Sequence, residues 1–96
     1  MDVSSFKLVT GEEIIARVTA TQQNENGKIY QLEMPLVIHL QNSGGRIGMG
    51  FMPWTLSNSE STILPLPESS VVVKFAPSLE VEKQYLSSTS KIALME

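Results

Sequence analysis

The amino-acid sequence predicts a small all-β domain. It has five antiparallel strands in meander order, a strongly bent middle strand and a short C-terminal helix. Apolar residues occupy every second position from Tyr30 to Leu40, which is typical of a long half-buried strand. Turn signals at Thr10-Gly11 and Asn26-Gly27 separate alternating runs. This period-2 pattern ends after Pro77, where a helix is predicted.

The first hairpin is predicted from Phe6 to Val18. Gly11 favours a tight turn there because glycine readily adopts positive φ. The second strand places its apolar residues on one face, since successive strand side chains point to opposite sides. These residues are Ile14, Ala16, Val18 and Ala20. The polar loop from Gln22 to Lys28 then leads into the third strand.

The third strand, Tyr30 to Leu40, is too long to stay straight in so small a domain. At roughly 3.3 Å per residue it would span more than about 30 Å. Pro35 lies near its middle and cannot donate a backbone hydrogen bond. The sequence therefore predicts an edge, a bulge or a bend at Pro35.

The remaining elements follow from turn residues and changes of period. The turn from Asn42 to Gly45 precedes a fourth strand, Arg46 to Leu56, whose internal glycines predict a sharp bend. The proline-rich segment Ile63–Pro67 is predicted to run extended without full pairing, and Val71–Phe75 is the fifth strand. The domain is thus expected to have a barrel over about residues 4–77.

The C-terminal region, residues 78–96, is expected to form a helix and a tail. Ser78 is the expected N-cap, and a short helix is predicted from Leu79 to Ser87. Acidic residues in its first turn suit the helix dipole. Ser87 to Ser90 is expected to fray the helix, and Lys91 to Glu96 to form either a loose tail or an edge strand.

Composition excludes several classes of function. A chain of 96 residues is expected to form one domain. Its net charge of -3 argues against broad electrostatic binding to nucleic acid but leaves room for a local basic patch. The absence of cysteine excludes disulfides and thiolate sites. No signal peptide or membrane-spanning run is evident. A cytoplasmic protein is expected, with no membrane partner, small-molecule substrate or cofactor.

No catalytic constellation is predicted. The single histidine, His39, has no second ligand or base nearby in sequence and is interpreted as a surface or interface residue. Glu12 and Glu13 are adjacent in an extended stretch, so their carboxylates would diverge. Ser69-Ser70 lacks the base that a nucleophile needs. The sequence therefore predicts neither an enzyme nor a metal site.

The first hairpin carries a resemblance to a known family. Leu8-Val9-Thr10-Gly11, four further residues and then Ala16-Arg17-Val18 resemble the first motif of the Sm-like (LSm, Hfq-type) family. The resemblance covers roughly Phe6 to Phe75 and extends in style to the Sm-like proteins of marine bacteriophages. It implies a small, strongly bent, five-stranded antiparallel Sm-like barrel.

The resemblance also implies self-assembly. Family rings form when the fourth strand of one subunit pairs with the fifth strand of the next, here Arg46–Leu56 with Val71–Phe75. Such pairing would cover strand edges that otherwise invite aggregation. A homo-oligomeric ring of about five to seven subunits is expected. The residues predicted at the oligomer interface are Met49, Phe51, Trp54, Val71, Val73 and Phe75.

Two functions follow from the resemblance. The first is a single-stranded RNA-binding or RNA-chaperone module that contacts RNA through Arg17, Asn24, Asn26 and Lys28, in and around the loop after the second strand. The alternative is a structural or protein-interaction ring, such as a phage or host assembly adaptor. Ser69-Ser70 stands where the family has Arg-Gly, which favours the alternative. Trp54 could stack on a base, but packing in the core or interface is the stronger interpretation.

Overall fold

A computed structural model describes residues 2–59 and 62–94 of the chain. Its elements in chain order are β1 (Asp2–Leu8), β2 (Glu13–Asn24), β3 (Gly27–Ser43), β4 (Arg46–Pro53), β5 (Ile63–Pro67), a 3-10 turn (Glu68–Ser70), β6 (Val71–Phe75) and α1 (Leu79–Leu94). The all-β prediction with one C-terminal helix is confirmed.

The strands form one strongly bent antiparallel sheet that is not closed. Its order is β4-β3-β2-β1-β6, with β5 paired to β3 outside this path. The described part of the chain has six strands rather than the five predicted. The segment Ile63–Pro67 was expected to lack full pairing, but every residue of β5 pairs with β3, from Glu33↔Ile63 to Ile29↔Pro67.

The extra strand is Ile63–Pro67, which was not counted among the five predicted strands because it was expected to lack full pairing. β4 pairs with β3 from Ser43 down to Leu36, and β5 continues along the same edge of β3 from Glu33. Between the two strands, the described residues 54–59 and 62 are not part of either strand. β4 and β5 therefore follow one edge of β3, with an insertion opposite Met34 and Pro35.

The bend in β3 is a bulge at Met34 and Pro35. Ile15 pairs with Leu36 whereas Arg17 pairs with Glu33, so β3 carries one residue more than β2 at this point. Met34 has a φ of 52°, which is uncommon for a residue other than glycine. The prediction of a bulge or bend at Pro35 is confirmed. The bulge also reverses which strand residues face each side of the sheet.

One face of the sheet, the inner face, encloses the main apolar core. It is built from residues at alternate positions of four strands: Phe6, Leu8, Ile14, Ala16, Tyr30, Leu32 and Leu66. The rings of Phe6 and Tyr30 lie 5.4 Å apart between centroids, within the range of favourable aromatic pairs. In the third strand, the predicted apolar alternation corresponds to this core only as far as Leu32, because the bulge turns Leu36 to the opposite face and Leu40 is exposed.

The opposite face, the helix face, is covered by α1. Tyr85 is fully buried there with Val3, Ile15 and Leu36. Its hydroxyl lies 2.8 Å from the Met34 carbonyl oxygen, to which it donates a hydrogen bond. The C-terminal helix is thus attached to the bulge itself.

The helix is longer than the predicted Leu79–Ser87, because α1 continues to Leu94. Ser78 acts as the predicted cap, with its Oγ 3.3 Å from the Val81 backbone nitrogen. Thr89 is buried, and its hydroxyl donates to the Tyr85 carbonyl at 3.1 Å. Packing against the sheet therefore outweighs the weak helix preference of the serine-rich stretch. Within the predicted tail, 91–94 is helical, and Met95 and Glu96 lie outside the described residues.

Tyr85 makes the stability of this domain sensitive to alkaline pH. Burial raises the pKa of Tyr85 from 10.0 to about 12, and the nearby Arg17 partly opposes the rise. Because the folded pKa lies above the unfolded one, the stabilisation is complete below about pH 10 and is lost as the pH rises towards 12. We expect a loss of about 2 to 3 kcal/mol over this interval, measured by urea denaturation.

Tyr85→Phe is the matched control, since it keeps the ring and removes the ionisable hydroxyl. Its free energy of unfolding at neutral pH should be about 1 kcal/mol lower than that of the unmodified chain. Between pH 10 and 12, the variant should lose less of its free energy of unfolding than the unmodified chain does. An equal alkaline loss in both proteins would show that Tyr85 does not cause it.

Candidate functional site

The first candidate site is the end of the sheet where the β2–β3 hairpin meets the 3-10 turn. The Asn24 side-chain oxygen accepts a hydrogen bond from the Asn26 backbone at 2.9 Å, which shapes the hairpin turn. The Lys28 backbone N–H donates to Glu68 Oε1 at 3.3 Å. Three of the four predicted RNA-binding residues, Asn24, Asn26 and Lys28, are therefore exposed together at this end of the sheet.

Glu68 decides the charge of this site. A Cβ added to Gly27 would lie 3.0 Å from Glu68 Oε1, so the glycine allows the carboxylate to approach the hairpin closely. Gly27 also has a φ of 114°, which L-residues rarely adopt. This end of the sheet therefore carries two acidic residues, Glu25 in the same turn and Glu68, beside one basic residue, Lys28. Such a balance gives little general attraction for phosphates.

Arg17, the fourth predicted RNA-binding residue, lies elsewhere, beneath α1. Its guanidinium lies 3.5 Å from Glu33 Oε1 and donates to Thr89 Oγ1 at 2.9 Å. It also lies 5.8 Å from the centre of the Tyr85 ring. Only 16% of its side chain is exposed. These contacts give Arg17 a clear role in holding the helix on the sheet. The sequence around Arg17 could not have predicted the contact with Thr89, because Thr89 is distant in the chain.

The second candidate site consists of the outer edges of the sheet. Among the described strands, β4 and β5 pair only with β3, and β6 pairs only with β1. The outer N–H and C=O groups of β4 and β6 therefore face away from the chain's own sheet at its two ends. These are the edges of the predicted fourth and fifth strands.

The six predicted interface residues divide into two groups. Met49, Val73 and Phe75 are exposed. Phe51 packs against the core beneath α1, and Trp54 and Val71 pack against the inner core. The Trp54 indole also donates to Glu12 Oε1 at 3.3 Å.

Several exposed apolar residues were not predicted as part of an interface. Leu40 and Ile47 are each 75% exposed. Met52 lies on β4 and Val72 on β6. Leu56 lies in the segment after β4, Ile63 in β5 and Leu79 at the start of α1. The sequence pattern did not identify these residues, because strand alternation alone does not tell which apolar face a small domain leaves uncovered.

A groove of about 200 Å³ lies where β4 stops before β5 begins. Its lining is apolar apart from two side chains, and consists of Met34, Pro35, Leu36, Pro53, Thr55, Leu56 and Asn58. None of these residues is charged, so the groove offers no acid or base for chemistry.

The part of the chain that the structure describes was searched for clusters of metal-binding side chains and for membrane-spanning helices. Residues 2–59 and 62–94 contain no group of three or more His, Cys, Asp or Glu side chains placed to hold a metal ion. No helix there has the length and apolar character needed to cross a membrane.

Comparison with known proteins gives one family match. The family model described as Sm_like domain matches residues 5–85. The match therefore includes the first hairpin, both candidate sites and the first part of α1. A search of curated proteins found no match.

The position of Arg17 predicts a structural role that can be measured. Arg17→Met keeps much of the side-chain volume but leaves Glu33 and Thr89 without this partner. We expect the free energy of unfolding, measured by urea denaturation, to fall by about 1 to 3 kcal/mol. Arg46→Met is the control, because it removes an equal charge at an exposed position. It should change the free energy of unfolding by less than about 0.5 kcal/mol. Equal effects of both substitutions would contradict the attachment of α1 through Arg17.

Proposed function

Since this chain belongs to the Sm-like family, we propose that it assembles into a homo-oligomeric ring that serves as a non-enzymatic binding platform. Sm-like domains typically form such rings and are generally associated with RNA. The observation that carries the proposal is the pair of unpaired strand edges, on β4 and β6, at opposite ends of one sheet.

Pairing between different edges of neighbouring copies is a head-to-tail contact. Such contacts repeat from one copy to the next and close into a ring when the rotation between copies allows it. Here each copy offers one β4 edge and one β6 edge. Unprotected edges of this kind favour uncontrolled association in a monomer, so a closed ring would remove a liability of the isolated chain.

The exposed apolar side chains support the same proposal. Met49 on β4, and Val73 and Phe75 on β6, lie on these strands. Burying apolar surface contributes about 25 cal/mol for each Å² removed from water. A 96-residue chain has a modest core of its own, so contacts between copies would add substantially to stability.

The charge of the hairpin end favours a structural or protein-interaction ring over a general RNA binder. Lys28 shares this end of the sheet with two acidic residues, Glu25 and Glu68. Arg17 is held beneath α1 by its contacts with β3 and the helix. The whole chain has a net charge of -3. We therefore propose that the ring presents a surface for protein partners, such as the components of a phage or host assembly.

Single-stranded RNA binding is the second candidate function. It is supported by the exposure of Asn24, Asn26 and Lys28 at one end of the sheet. Amide side chains can hydrogen-bond bases, and a lysine can contact phosphate. A ring would bring several copies of this end together, so weak contacts could add through multivalency.

Assembly is tested by light scattering of the purified chain at micromolar concentration. We expect a mass of about five to seven times the 10.6 kDa of one chain. Val73→Glu should shift the protein towards the mass of a single chain, because it places a charge on the β6 edge. Gln84→Glu adds the same charge on an exposed part of α1 and should leave the mass unchanged. A monomeric unmodified chain would contradict the ring.

RNA binding is tested by fluorescence anisotropy with short U-rich and A-rich oligonucleotides at low and high salt. If RNA binds at the hairpin end, Lys28→Met should weaken binding and reduce the salt dependence by about one phosphate contact per subunit. Glu68→Gln should strengthen binding by removing a negative charge. A ring that binds neither oligonucleotide at low salt would exclude the RNA candidate and leave the protein-interaction platform.

A further inference from the structure

The turn between β2 and β3 places Asn26 at its tip, with Gly27 directly after it. Asn26 is exposed, and the Asn24–Gly27 pair is the last pair of the β2–β3 ladder. Asn26 therefore lies beyond the paired part of both strands. Because loop tips and ladder ends open locally at a small cost in free energy, we expect the backbone at Asn26 to change conformation more readily than the backbone inside the sheet.

The side chain of Asn26 is not engaged by its surroundings. Among the residues that the structure describes, none forms a hydrogen bond with its side-chain amide. The backbone N–H of Asn26 donates to Asn24 Oδ1 at 2.9 Å, which shapes the turn but leaves the Asn26 amide itself unbound. The carbonyl carbon of this amide is therefore accessible to a nucleophile on the neighbouring backbone.

Gly27 supplies that nucleophile, which is its backbone nitrogen. Glycine has no side chain, so nothing on its α carbon hinders the approach of this nitrogen to the Asn26 amide. Gly27 also has a φ of 114°, a backbone conformation that other residues rarely adopt. An asparagine followed by glycine is for these reasons the pair in which a side-chain amide closes most readily on the backbone.

The other asparagines of the chain lack one or more of these features. Asn24 precedes a glutamate, and its side-chain oxygen is bonded within the turn. Asn42 precedes a serine and lies within β3, where it is paired with β4. Asn58 also precedes a serine, and its side-chain amide donates to the carbonyl of that serine at 3.0 Å. Asn26 is therefore the asparagine best placed to react with the following residue.

We propose that Asn26 is a site of spontaneous covalent modification, namely deamidation through a cyclic imide. The Gly27 backbone nitrogen forms a bond with the side-chain carbonyl carbon of Asn26. The bond from that carbon to the side-chain nitrogen breaks, and this nitrogen leaves as ammonia with the proton of the Gly27 amide. Water then adds to either carbonyl of the succinimide ring and opens it. The product is aspartate or isoaspartate, depending on which ring C–N bond breaks.

The modification changes the charge and the backbone of the hairpin end. One carboxylate replaces one neutral amide, so the net charge of the chain becomes one unit more negative than -3. The new charge joins Glu25 in the turn, and Glu68 Oε1 accepts a hydrogen bond from the Lys28 backbone N–H nearby. In the isoaspartyl product the backbone is one carbon longer, so the Asn24–Gly27 pair cannot keep its register. Modification therefore weakens the contact between the hairpin and the 3-10 turn.

Peptide mapping of the incubated protein tests the proposal. The purified chain is held at mildly alkaline pH, digested with trypsin and compared by mass spectrometry with a sample that was not incubated. Cleavage after Arg17 and Lys28 releases residues 18–28, which contain both Asn24 and Asn26. We expect the mass gain of an amide-to-acid conversion at Asn26, in two chromatographic peaks for aspartate and isoaspartate. Conversion of Asn26 should exceed that of each other asparagine severalfold.

Asn26→Gln is the matched control, because it keeps an exposed amide whose cyclisation needs a larger ring that closes more slowly. Ion-exchange chromatography should show an acidic species that accumulates in the protein of original sequence and much less in this variant. Equal accumulation in both proteins would overturn the proposal, and so would conversion at Asn26 that is no faster than conversion at Asn42. Both measurements are independent of the proposed ring, since they read the chemistry of one turn within one chain.

Discussion

The bulge at Met34 and Pro35 is the constraint on which the other features of this domain depend. Because of this bulge, one long strand contributes side chains to both apolar clusters. Leu32 lies in the inner core and Leu36 lies beneath the helix. The positive φ of Met34 costs about 1 to 2 kcal/mol, and the Tyr85 hydroxyl bond to its carbonyl offsets part of this cost. The helix is thereby fixed to the place where the strand bends.

The same bulge marks the place where the strand partner on the outer side of β3 is interrupted. Because β3 bends at Met34, its outer partner divides into β4 and β5, and the Trp54 backbone N–H donates to the Pro35 carbonyl at 3.1 Å where the chain departs. The sheet stays open instead of closing on itself, so β4 and β6 keep their outer edges. An open sheet of this kind is consistent with the proposed assembly, in which the sheet of one copy continues into the next.

Much of this fold was predictable because it depends on local patterns. The alternation of β3, the turn at Gly27 and the bend at Pro35 are all visible in the printed sequence. What could not be predicted depends on contacts between distant segments. The helix extends past its predicted end because Thr89 and Tyr85 pack on the sheet. Arg17 was assigned to RNA binding from its place in the chain, whereas its contacts with β3 and α1 come from the tertiary fold.

Hydrogen–deuterium exchange on the assembled protein tests most directly whether the free edges join copies of the chain. We expect the backbone amides of β4 and β6 that face away from their partner strands to be protected at high protein concentration. This protection should disappear on dilution, while the amides of β2, inside the sheet, stay protected. Rapid exchange of the outer β4 and β6 amides in an oligomeric sample would contradict edge-to-edge assembly.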